Sequence, residues 1–187
     1  MRQRHKGLRN MIFISLFATL MCIGAWLHFP FIVPATMQTF VVFTSLGLMG
    51  SKSTFIMLVI YVALGAVGLP VFSGFSGGIG ALTGPTAGFI WGFLLGVPVF
   101  HLAEKFCRKK ALMIIPYILY ILLHYIPGAL WYCLFNFGSL SLNGILSSTL
   151  VTVVPFIVPD AVKLIASIVT VRKIKRLVSR SEARFAN

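Results

Sequence analysis

Apolar runs close to membrane-crossing length recur along this 187-residue chain, and nearly every charge falls in the gaps between them. A helix rises about 1.5 Å per residue, so roughly twenty apolar residues cross a hydrocarbon core of about 30 Å. Breaking the runs at Pro, Gly and charge predicts six helices, at 10–28, 36–50, 53–69, 85–103, 111–136 and 158–177. Only 10% of the residues are charged and 58% are hydrophobic, against about 25% charged in an ordinary soluble domain. The expected fold is all-α: one membrane-embedded domain over 1–187, a multi-pass protein of a bacterial or archaeal plasma membrane.

The second and third runs are short for a full crossing, which leaves tilted or re-entrant geometry open. Pro116 and Pro127 predict kinks in the fifth. The stretch 137–157, "GSLSLNGILSSTLVTVVPFIV", starts polar and turns apolar; it reads either as a short interfacial helix or as an incomplete seventh span. The basic N-terminus and the apolar stretch 11–27 read as a first membrane helix rather than a cleaved leader, because the run is long and no small-x-small site closes it. Cys22, Cys107 and Cys133 are odd in number and lack metal-ligand spacing, so they read as small core residues; neither a metal nor a cofactor is expected.

The cations set an orientation. Arg2, Arg4, Lys6 and Arg9 precede the first run, Lys52 separates the second and third, and Lys105 and Arg108–Lys110 follow the fourth. Arg172, Lys173, Lys175, Arg176, Arg180 and Arg184 follow the last. With both termini cytoplasmic, alternate connections put all of these inside, as the positive-inside rule requires. The net charge of +13 then faces anionic lipid headgroups, and no nucleic acid partner is needed.

Asp160 and Lys163, in "VPDAVK", fall outside that pattern, at the outward start of the last helix. Three residues apart, they share a helix face. Ionisable groups at membrane depth are costly and usually mark function. The alternative is a local ion pair that starts a helix, with Pro159 in its first turn and Asp160 at its positive dipole end. The other outer connections bring Gln38 from "HFPFIVPATMQTF", which Pro30 and Pro34 keep from being one continuous helix, and Trp131, Tyr132 and Asn136 from the end of the fifth run. An acid, a base, an amide and aromatics at one end of an apolar bundle describe a small-molecule pocket.

"GFSGGIGALTGPTAGFIWGF", 74–93, holds seven glycines. It lacks the GK[ST] ending of a phosphate loop. Gly84, Gly88, Gly92 and Gly96 recur every four residues and predict a ridge on which another backbone packs closely. The loop half before Pro85 is expected to line the pocket. No HExxH, CxxC or GxSxG is present, and His28, His101 and His124 are isolated, so these histidines read as structural or interfacial and the chain as no enzyme.

Three segments resemble the BioY family, the biotin-binding S components of energy-coupling factor transporters: "VPATMQTF" (33–40), "GLPVFSGFSGGIGALTGPTAGFIWGF" (68–93) and "PFIVPDAVK" (155–163). Ala87 stands where the family commonly has glycine, and Val158-Pro159 where a Pro-Gly-like turn is usual. The resemblance implies a six-helix subunit that binds biotin and works with a transmembrane coupling subunit and two cytoplasmic ATPases. It implies Asp160, Lys163 and Gln38 as partners of the ureido ring or the valerate carboxylate, with Phe75, Thr86, Trp131 and Tyr132 around the rest. It also implies a small-residue stripe on the first helix, Ser15, Ala18, Cys22 and Ala25, as the contact with the coupling subunit; internal packing is the competing reading. A stand-alone secondary transporter or channel for a small organic solute is the alternative function.

Overall fold

The computed structural model describes residues 2–29, 33–107 and 112–185. Pro30 and the cations Arg108–Lys110 lie outside the described residues. Helix α1 (Arg2–Trp26) leads to a two-residue strand β1 (His28–Phe29), which pairs antiparallel with β2 (Ala35–Thr36). Then come α2 (Gln38–Met49), α3 (Ser51–Ala66), one 3-10 turn (Ser73–Phe75), α4 (Ile79–Thr83), α5 (Ala87–Phe106), α6 (Ile115–Phe137), α7 (Leu142–Thr152) and α8 (Val154–Phe185). Local chemistry sets several ends. Gly50, at φ 78°, turns α2 directly into α3. The Ser141 hydroxyl accepts from the Gly144 N–H at 3.1 Å and starts α7.

Among the described residues, four helices are long and apolar enough to cross a membrane: Gly7–Trp26, Ala87–Phe106, Ile115–Phe137 and Val154–Ser179. The runs expected at 36–50 and 53–69 form shorter apolar helices of 12 and 16 residues. The stretch 137–157 resolves into α7, which packs on α6 and α8, and the start of α8. The last helix therefore begins at Val154, not near 158, and Pro159 is interior to it. Pro155 occupies the opening turn, where a missing N–H leaves no helical bond unmade. Asp160 then falls in the second turn, and the alternative reading of it as a helix-starting residue does not hold.

The closest helix pair is α5 with α6. A Cβ at Gly88 would lie 2.5 Å from the Pro127 carbonyl oxygen, and one at Gly92 2.5 Å from that of His124. At Gly96 it would meet the Tyr120 ring at 2.7 Å. The glycine ridge thus places α6 against α5, except that Gly84 precedes the helix and takes no part. The main core, around Met21, Val42, Phe43, Met57, Leu58, Tyr61 and Tyr120, is completely buried. Outward, α8 shows Val158, Val162, Ile165 and Val169 in one stripe, while Asp160, Leu164 and Ser167 are buried on the other side. Apolar faces this continuous suit lipid.

The small-residue stripe on α1 is not one outer face. Ala18 and Ala25 are buried, Cys22 is half-buried and Ser15 is exposed. The two alanines pack inside the bundle, where α2 and α3 lie against α1, as the competing reading of internal packing has it.

Candidate functional site

The one-turn spacing of Asp160 and Lys163 brings the ammonium to within 2.8 Å of Asp160 Oδ1. The carboxylate is 4% exposed, so it needs further donors. Thr39 Oγ1 donates to Oδ1 at 2.9 Å from α2, and the Tyr125 hydroxyl donates to Oδ2 at 2.6 Å from α6. Lys163 Nζ also donates to the Thr36 carbonyl at 2.7 Å. Two buried charges survive here because each is paired and hydrogen-bonded. Lys163 spends two of its three N–H donors in doing so.

This network forms part of the wall of a cavity of about 440 Å³. Phe72, Phe89, Ile90, Phe93 and Phe156 give the wall its apolar area, and the backbone of 72–86 covers one side. Gln38 lies in the wall within a second polar chain: Thr36 Oγ1 donates to Gln38 Oε1 at 2.9 Å, Gln38 Nε2 donates to the Tyr61 hydroxyl at 2.8 Å, and that hydroxyl donates to the Val71 carbonyl at 2.9 Å. Thr86 lines the cavity as well. Four expected site residues, Asp160, Lys163, Gln38 and Thr86, are therefore brought together.

Phe75, Trp131 and Tyr132 are not among the residues lining it. Phe75 is exposed and stacks on Trp26, ring centroids 5.1 Å apart. Tyr132 lines a separate crevice with Asn136, Ser147 and Ser148. Trp131 and Tyr132 follow the cavity-lining His124 and Tyr125 by seven residues, so they share a helix face but lie two turns, about 10 Å, farther along α6. Trp131 instead donates its indole N–H to the Gly84 carbonyl at 2.9 Å. Trp91 does the same to Leu82 at 3.1 Å and Trp26 to Pro70 at 2.9 Å. Trp91 and Trp131 thus hold the backbone that covers the cavity, and Trp26 holds the chain just before it.

Sequence reasoning missed Thr39, Tyr61, Ser73, His124 and Tyr125 as wall residues. A Tyr-His neighbourhood inside an apolar helix, one face shared with Trp131, was the available signal. Among the described residues, no group of three His, Cys, Asp or Glu side chains is placed to hold a metal ion.

A family model described as the BioY family matches residues 1–180. The chain belongs to the BioY family. It is 32% identical over 164 residues to a probable biotin transporter BioY of Pyrococcus horikoshii, covering 87% of this chain and 93% of that protein. It is 30% identical over 182 residues to the biotin transporter BioY2 of Lactococcus lactis, covering 96% and 97%. With the biotin transporter BioY of Thermotoga maritima it is 45% identical over 100 residues, 52% of this chain and 59% of that protein, which is under two thirds of that relative's length. A crystal structure of the S-component for biotin from an ECF-type ABC transporter shares the fold, with a TM-score of 0.76 at 22% identity over 92% of this chain and 93% of that one. The three segments that carried the BioY resemblance, 33–40, 68–93 and 155–163, are far apart in sequence, and each contributes to the wall of the same cavity.

Proposed function

We propose that this chain binds biotin in the cavity walled by α2, α5, α6 and α8, and that it is the substrate-binding S component of an ATP-driven energy-coupling factor transporter. The observation that carries the reading is the convergence of the three BioY segments on one cavity with a buried Asp160–Lys163 pair in its wall. A volume of about 440 Å³ falls in the usual small-ligand range of about 300–1,000 Å³. The thiophane ring and valeryl chain of biotin suit the phenylalanine walls, and its ureido group suits a wall with placed donors and acceptors. In this reading α1, α2, α3, α5, α6 and α8 cross the cell membrane, with both basic ends in the cytoplasm. A transmembrane coupling subunit and two cytoplasmic ATPases supply the energy.

Calorimetric titration of protein purified from biotin-starved cells tests the binding, and tight one-to-one uptake of biotin is expected. Transport in vesicles is expected to require the coupling subunit and ATPases. Uptake by the chain alone that an uncoupler abolishes would instead mark a gradient-driven carrier, and absence of biotin binding would overturn the reading.

A further inference from the structure

Two buried side-chain atoms in the cavity wall, His124 Nδ1 and Ser73 Oγ, have no hydrogen-bond partner within the protein. They come from different elements, α6 and the 3-10 turn of the roof. His124 is 5% exposed. Its ring is clamped, stacked on Phe93 at 4.3 Å between centroids and edge-on to Phe89 at 5.6 Å. A buried polar atom without a partner destabilises a fold, and such atoms in native structures call for an explanation. Around Asp160, by contrast, the polar groups are already bonded to one another.

Charge decides which part of a ligand these atoms meet. The carboxylate and ammonium in the wall, Asp160 and Lys163, neutralise each other at 2.8 Å. A ligand carboxylate drawn in beside them would be a buried charge with no counter-charge, which is heavily penalised. The uncharged end of the ligand therefore lies beside the pair. Resting on the proposed function, we infer that His124 Nδ1 and Ser73 Oγ hydrogen-bond the ureido head of biotin and set the specificity of the site. The ureido group offers two N–H donors and one carbonyl; an imidazole nitrogen serves as donor or acceptor according to tautomer, and a hydroxyl serves as either.

The test is calorimetric titration of the full chain, wild type, His124→Phe and Ser73→Ala, with biotin and with biotinamide, beside a ligand-free thermal melt. His124→Phe keeps a ring for the Phe93 stack and removes the nitrogens. It is expected to bind biotin about tenfold or more weakly, while its ligand-free melting temperature stays level or rises, because an unsatisfied buried atom has gone. Ser73→Ala, outside the packed core, is expected to weaken binding about threefold to tenfold. Both penalties should be the same for biotinamide, which keeps the ureido head and lacks the carboxylate. Binding of both variants within about twofold of wild type overturns the inference and leaves the proposed function standing. Penalties that vanish with biotinamide overturn the assignment to the ureido head. A wild type that does not bind biotin overturns the proposed function and this inference together.

Discussion

Tyr125 donates to Asp160 at 2.6 Å, so the carboxylate is held from α6 as well as from α2 and its own helix. Hydrogen bonds to a charged group contribute about 1.5–3 kcal/mol. Tyr125→Phe is expected to lower the ligand-free stability by that amount, read from thermal or denaturant melts. Asp160→Asn and Lys163→Met go further, since each leaves the other charge buried and unmatched at a cost of about 2–5 kcal/mol. Where the pair also touches the ligand, each variant should in addition bind biotin on the order of thirtyfold more weakly, at ~1.4 kcal/mol per decade. Variants that bind like the wild type, with only the melt displaced, would reduce the pair to a structural ion pair. Asp160 and Lys163 were legible in the sequence because a charge in apolar surroundings stands out. Tyr125, Thr39 and His124 were not, because such residues occur equally in cores, at lipid interfaces and in pockets.

At the level of helices and turns, α5 and α6 are set by bare backbone contact. A Cβ at Gly92 would stand 2.5 Å from the His124 carbonyl oxygen. Gly92→Ala must therefore push α6 outward, taking His124 and Tyr125 with it. A loss of about 1–3 kcal/mol is expected, as for other overpacked interiors, together with weaker biotin binding. Gly7→Ala, where a Cβ would meet nothing within 4 Å, is the control and should be neutral or slightly stabilising by helix propensity. The roof is held differently. Trp131→Phe keeps an aromatic ring but removes the bond to the Gly84 carbonyl. Faster biotin release in stopped-flow and faster amide exchange across 70–86 are expected, with little change in the exchange of α5 and α6. Unchanged release would show that the roof is held by its own packing. The glycine period was legible as a packing ridge, yet its partner helix was not. Trp131 and Tyr132 looked like pocket walls because sequence gives the face of a helix more readily than the depth along it.

Over the whole molecule, hydrophobic surface is turned out and charge is gathered at the ends. Exposed Leu16, Ile126, Leu134 and Ile165 lie on helices α1, α6 and α8, where lipid rather than water is the matching solvent. The basic ends of α1 and α8 continue as helix beyond the apolar runs, from Arg2 and to Phe185. If these ends face the cytoplasm, single cysteines placed at 2–9 or 172–185 will resist an impermeant maleimide in sealed cells and react after lysis. Reaction in sealed cells at either end would reverse the orientation.

The sequence by itself determined the all-helical, membrane-type class and the apolar runs, carried the family in three short motifs, and singled out Asp160 and Lys163. These rest on composition, on period, on motif or on a charge out of place, and such signals are local. The tertiary structure alone decided where the last helix begins, which small residues of α1 face inward, and which side chains share the cavity. Those outcomes depend on how far one helix slides along another, and sliding is set by backbone contacts such as Gly92 on His124. The same contacts bring Thr39, Tyr125 and Asp160, which together span more than a hundred residues of chain, into a single hydrogen-bonded group.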